Sequence, residues 1–200
     1  MIFKDNSEGS FVELEAAKQI DYYFMKGKTM DAVVANYRLL TGNSPMMPLY
    51  LYGYIQSKER YVSSDDLINT LKDYRQRQIP IDMIVQDWNY WPEGQWGNMS
   101  MNPKFYPDKR KLADEIHSLH AKLMISIWPN AMNCPQHEEF RRKGWLLSGT
   151  SVYDAFNPLA RKLYWNYANN EFFGNGFDAW WCDASETISE EHTSELQSLN

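Results

Sequence analysis

The stretch Phe177-Asp178-Ala179-Trp180-Trp181-Cys182-Asp183-Ala184-Ser185-Glu186 follows a Gly174-Asn175-Gly176 turn and closes a short apolar run with two acids. It reads as a buried strand that delivers a carboxylate to its tip. In a parallel α/β sheet or barrel, ligands bind and chemistry occurs at the C-terminal tips of the strands, which makes Asp183 the first candidate for a catalytic group. The alternative is a solvated acid just past a strand.

Two earlier strands close the same way. Ile81 to Val85 runs into Gln86-Asp87-Trp88-Asn89-Tyr90-Trp91, and Leu123 to Ile127 runs into Trp128-Pro129-Asn130. Aspartate and tryptophan at several strand tips suit a sugar pocket. Carboxylates accept hydroxyl hydrogen bonds, and indole faces cover the apolar C–H faces of a pyranose. A strand-end tryptophan also serves as core or rim packing, so the coincidence across three strands carries the pocket reading.

Outward from these strands the chain alternates strand and helix. Leu49 to Ile55 reads as the first strand of the series. Ser64-Asp65-Asp66-Leu67 opens a helix with Leu67, Ile68, Leu71 and Tyr74 on one face. Leu112, Ile116, Leu119 and Leu123 mark a second helix leading into its strand, and Asn157-Pro158 starts a third. Strands separated by helices predict a parallel sheet with right-handed crossovers. Upstream, the polar-rich first residues carry a turn at Gly9 and a strand over Ile20 to Met25, followed by an amphipathic helix capped by Thr29 and stopped at Thr41-Gly42-Asn43. A (β/α)8 barrel needs about 250 residues, so four strands and three helices make half of one.

The net charge of −6 argues against a phosphate-backbone partner, which would want a basic face. No apolar run approaches the roughly 20 residues of a membrane span, and Met1 to Asn6 has no signal-peptide core. Cys134 and Cys182 are too few for a disulfide framework, and Cys182 within its strand should behave as a small apolar residue. Neither Cys134-Pro135-Gln136-His137 nor the pair His117 and His120, three apart on a helix, completes a ligand set, so no metal site and no cofactor are expected.

The chain resembles glycoside hydrolase family 31, the retaining α-glucosidases and α-xylosidases. The resemblance runs from about residue 2 to Glu186. It is carried by Gln56-Ser57-Lys58-Glu59-Arg60-Tyr61, Ile84-Val85-Gln86-Asp87-Trp88-Asn89-Tyr90-Trp91, Tyr153-Asp154-Ala155-Phe156-Asn157-Pro158 and Ala179-Trp180-Trp181-Cys182-Asp183-Ala184-Ser185-Glu186. Within the family the pattern is most similar to bacterial α-xylosidases acting on xyloglucan-type oligosaccharides. The alternatives are an α-glucosidase or transglucosidase of the same family, or a non-catalytic carbohydrate-binding module.

The resemblance implies an α/β fold: the first half of a (β/α)8 TIM barrel preceded by the last strands of an N-terminal β-sandwich domain. The implied boundaries are 1–27 for the end of the sandwich, 28–46 for a connecting helix and linker, and 47–188 for barrel strands 1–4. It implies a nucleophile at Asp183, sugar contacts at Asp87, Trp128 and Trp181, an oligosaccharide substrate and a periplasmic or secreted parent. Retaining hydrolysis needs two carboxyl groups about 5–5.5 Å apart. The family places its acid/base on a later strand tip, beyond residue 200, and Glu186 is not assigned that role. Arg60 and His137 are read as solvated loop residues within reach of the pocket rim. A half barrel with unpaired edges is expected to aggregate and to be inactive alone.

Where the family usually has a proline, this chain has Thr187. Ser189-Glu190-Glu191-His192-Thr193-Ser194-Glu195-Leu196-Gln197-Ser198 then resembles, residue for residue, the translation of a common short-read sequencing adapter. Residues 189–200 are therefore expected to be an adapter-derived tail on a gene cut in mid-barrel, the alternative being a natural polar C-terminal helix.

Overall fold

The computed structural model describes residues 2–13 and 21–184. They form two compact units, divided between Met46 and Met47. In the first, β1 (Ile2–Asn6) and β2 (Gly9–Glu13) make an antiparallel hairpin in which Asn6 pairs with Gly9 across the turn. Helix α1 (Met30–Thr41) begins where the Thr29 side chain accepts from the Ala32 N–H at 3.2 Å, and it ends at Gly42 with φ +81°. Asp21 to Met25 carries no strand, contrary to expectation: a strand exists only through its ladder, no described strand lies beside this segment, and Tyr22, Tyr23 and Phe24 are exposed. Ile20 lies outside the described residues, as do Thr187 and the proposed tail.

The second unit is a parallel sheet of β3 (Ile55–Gln56), β4 (Met83–Gln86), β5 (Lys122–Ile127) and β6 (Ala179–Cys182), in that spatial order. The connections hold α2 (Ser64–Gln76), α3 (Lys109–Ser118), α4 (Pro135–Arg142) and α5 (Pro158–Glu171). Each helix starts at a side-chain cap. Ser63, one residue before the expected start, accepts from the Asp66 N–H. Asp108 accepts from the Lys111 N–H, and Asn157 from the Leu159 and Ala160 N–H groups. Ile84, Leu123, Ile125 and Ile127 point from the sheet into a core with Leu67, Leu71, Leu112, Ile116, Ala160 and Phe172. This is the α/β half-barrel arrangement expected from the strand and helix alternation.

Three local readings are corrected. The strand expected over Leu49 to Ile55 is a 3₁₀ turn at Leu49–Tyr52, and pairing starts only at Ile55. Gly53 sets that boundary. A side chain there would put its Cβ 1.9 Å from Asp82 Oδ2, the oxygen that accepts the Tyr54 N–H at 3.2 Å. Helix α4 was not foreseen, because its sequence buries only Gln136 and Phe140 and offers little apolar period. Cys182 is exposed rather than buried, because β6 has a sheet neighbour on one side only among the described strands.

Candidate active site

Side chains alternate across a strand. With Ile84, Ile125 and Ile127 turned to the helices, Val85, Met124, Ser126 and Trp181 take the other face. A concavity of about 590 Å³ opens against that face, lined in part by Ile55, Ser57, Met124 and Trp181. Trp181 is 47% exposed and presents its indole to this space, whereas its neighbour Trp180 packs edge-on against Trp165 and Phe172 of the α5 side.

Asp87 continues the parity of Val85 one residue past the end of β4. Its Oδ1 accepts the Trp88 N–H at 2.8 Å and its Oδ2 accepts the Ser57 hydroxyl at 3.5 Å. Burial pushes the Asp87 carboxyl above its usual range and the neighbouring Asp183 carboxylate adds repulsion, while the Trp88 N–H and the Ser57 and Ser126 hydroxyls oppose the rise. Asp183 stands just beyond β6. Its N–H extends the ladder to the Ile127 carbonyl at 3.0 Å, and its Oδ1 accepts the Ala184 N–H at 2.8 Å, with Ala184 in the left-handed region at φ +45°. The sheet thus brings Asp87 and Asp183, nearly a hundred positions apart in sequence, within electrostatic reach of each other at its C-terminal edge.

Trp128 occupies the tip of β5 but is only 5% exposed. Its ring meets Trp91 edge-on at 5.4 Å and Trp96 at 6.2 Å, and its carbonyl accepts the Tyr164 hydroxyl at 2.9 Å. Trp96 also meets Trp88, over which the Arg60 guanidinium lies at 5.2 Å. Arg60 is therefore stacked on an aromatic ring rather than simply solvated. The cluster depends on Gly97, whose positive φ of +63° brings its Cα so close to the Asn130 carbonyl oxygen that a Cβ would stand 2.1 Å from it. His137 borders a small cavity behind Trp128.

The metal-like sequence motifs have other uses. Cys134 caps α4, its sulfur accepting the His137 N–H at 3.5 Å. His120 lies past the end of α3 with φ +56°, so it does not share a helix face with His117 as the spacing suggested. His117 instead meets Asp178 at 2.7 Å. Among the described residues no group of three or more His, Cys, Asp or Glu side chains could hold a metal ion, and no helix is long and apolar enough to cross a membrane. Glu186 lies outside the described residues. Two serines that border Asp87 escaped the sequence reading: Ser57, inside the quoted Gln56-Ser57-Lys58 motif, and Ser126, the single serine within the apolar run Leu123 to Ile127. Strand parity was the available signal for Ser126.

Parallel strands that gather two carboxyls and an exposed tryptophan at their C-terminal tips have the construction of a β/α-barrel glycosidase. Residues 44–199 match the family model of the glycosyl hydrolases family 31 TIM-barrel domain. The α-xylosidase of Saccharolobus solfataricus is 41% identical over 176 residues, which is 88% of this chain and 24% of that protein. The crystal structure of the family 31 α-xylosidase of Xanthomonas citri superposes with a TM-score of 0.72 at 38% identity, over 80% of this chain and 19% of that one. A family 31 α-xylosidase from a soil metagenome, complexed with xylose, gives a TM-score of 0.72 at 30% identity over 79% of this chain and 25% of that one. The chain spans about a quarter or less of the length of these relatives. It belongs to glycoside hydrolase family 31.

Proposed function

We propose that this chain is the nucleophile-bearing part of a retaining α-glycoside hydrolase that releases α-linked xylose from xyloglucan-type oligosaccharides. The observation that supports the reading is that Asp87 and Asp183 stand at the C-terminal strand tips within electrostatic reach of each other, on the sheet face that the exposed Trp181 shares. Asp183 attacks the anomeric carbon while the second carboxyl protonates the leaving glycosidic oxygen, so that the glycosidic C–O bond breaks, the alcohol departs and a covalent glycosyl-enzyme forms. Water then opens that ester with the second carboxyl acting as base. That second carboxyl is supplied by a later strand of the barrel. Asp87 holds ring hydroxyls while oxocarbenium charge develops, and Trp181, with Trp128 behind the strand tips, walls the sugar.

The α-xylosidases among the relatives support xylose over glucose, which carries an additional hydroxymethyl group. The test is kcat/KM of the full-length enzyme carrying this sequence on aryl α-xyloside and aryl α-glucoside, with the anomer of the first product read by NMR. A xyloside preference of tenfold or more, on the order of what a pocket achieves against one added group, with α-xylose released first, is expected. Release of β-xylose first contradicts the retaining mechanism, and a glucoside preference contradicts the substrate.

A further inference from the structure

Ser126 lies in β5 on the same sheet face as Met124 and Trp181, buried beneath the concavity that those two residues line. In the sheet register Gln86 pairs with Ile125 and Ser126 pairs with Trp181, so Ser126 has Asp87 on one side and Trp181 on the other. It is fully buried, and its Oγ makes no bond of good hydrogen-bond geometry, although it lies near enough to the Asp87 carboxylate to favour its ionised form. The adjacent buried polar residue behaves differently: Gln86 donates to the Tyr61 and Asp87 carbonyls and accepts from the Tyr106 hydroxyl. A buried hydroxyl without a well-formed bond costs free energy; Trp96 Nε1 and Asn130 Oδ1 nearby are likewise buried without a partner, but Ser126 is the one that stands beside the Asp87 carboxylate, which calls for a functional account.

The acceptor next to it has capacity to spare. Asp87 Oδ1 holds a firm bond from the Trp88 N–H, but Oδ2 receives only the long 3.5 Å contact from Ser57, and a carboxylate oxygen accepts more than one donor. Bonds of this kind are often loose in an unliganded site and tighten around substrate. The Ser126 hydroxyl already acts to lower the proton affinity of Asp87.

We propose that Ser126 is a positioning residue for Asp87: its hydroxyl donates to the Asp87 carboxylate as a sugar ring enters, holding that carboxylate ionised and aimed at the ring hydroxyls. The inference rests on the reading under Proposed function. It is tested with Ser126→Ala in the full-length enzyme carrying this sequence, assayed on an aryl α-xyloside across pH. The variant should lose about tenfold or more in kcat/KM through a raised KM. The acid limb of its profile should move to higher pH, because one donor opposing protonation of Asp87 is gone. Its Tm should be unchanged or higher, because a buried hydroxyl that lacks a well-formed bond in the free enzyme is gone. Ser126→Cys, similar in shape and a weaker donor, should fall between serine and alanine.

A Ser126→Ala enzyme with wild-type kcat/KM and acid limb overturns the inference alone. So does a loss equal at every pH, accompanied by a lower Tm and no recovery in Ser126→Cys, which marks a packing role. A wild-type enzyme that cleaves no aryl α-glycoside overturns the functional reading and this inference with it.

Discussion

The role proposed for Asp87 and its contribution to stability oppose each other in one side chain. Its carboxyl titrates above the ordinary aspartate range, chiefly because it is buried. A raised carboxyl pKa means that the folded state holds its proton to higher pH than the unfolded state does. The associated stability is therefore present at low pH and lost as pH rises through the folded value. Asp87→Asn removes that loss, so the variant should melt at a higher temperature than the wild type at neutral pH. It should also lose on the order of 100-fold in kcat/KM, because it no longer positions the ring as a carboxylate does. Calorimetry together with kinetics checks both signs, and a lowered neutral Tm with full activity contradicts the assignment. At this scale the sequence made Asp87 and Asp183 visible because each ends an apolar run. It hid Ser126 because a single serine inside Leu123 to Ile127 looks like an ordinary strand residue until the register places Asp87 beside it.

At the level of elements, the two ends of the sheet do different work. Away from the carboxyl tips, Asp178 ties α3 to the strands. It accepts from Lys122 Nζ at 2.9 Å and the Leu123 N–H at 2.9 Å, and pairs with His117 Nε2 at 2.7 Å. Burial alone would raise its pKa, but the Leu123 N–H, His117 and Lys122 together bring it below the usual value. A depressed carboxyl pKa contributes stability that is present above the unfolded value and is lost as pH falls through the folded one. Asp178→Asn should therefore cost about 2 kcal/mol at pH 7 and less in strong acid, which urea unfolding at two pH values reads directly.

At the C-terminal end of the sheet, Gly97 holds its loop against the tip of β5. Gly97→Ala forces both a left-handed alanine and a clash with the Asn130 carbonyl, and should cost on the order of 3 kcal/mol while disturbing the Trp91, Trp96 and Trp128 fluorescence. Capping gives a milder case. Asn157→Ala should cost about 1 kcal/mol at the start of α5. The caps and apolar faces of α2, α3 and α5 were legible because Leu67, Leu71, Leu112 and Ile116 repeat at helical spacing. The 3₁₀ turn at Leu49–Tyr52 was not, because its conformation depends on the long-range approach of Gly53 to Asp82.

At the scale of the whole molecule, β3 and β6 each have a single neighbour among the described strands. Among the described residues no strand pairs with their outer edges, and Trp181 of β6 is exposed. Such edges promote association, so the 200 residues expressed alone should sediment as aggregate and leave an aryl α-xyloside intact. A soluble, active monomer contradicts the proposal that further strands complete the pocket. Residues 189–200 remain proposed as adapter-derived, and resequencing the source locus across the codons for Ala184 to Asn200 should replace them with continuing strand and helix sequence.

The proposed mechanism requires Asp183 to form a covalent bond to the sugar. The full-length enzyme should be incubated with 5-fluoro-α-xylosyl fluoride, whose glycosyl-enzyme turns over slowly, and its proteolytic peptides weighed and fragmented. The account predicts one fluoroxylosyl adduct, carried on the Asp183 carboxylate and lost in Asp183→Asn. Fluoride release with the adduct on any other residue, or an Asp183→Asn enzyme that still labels, would contradict it.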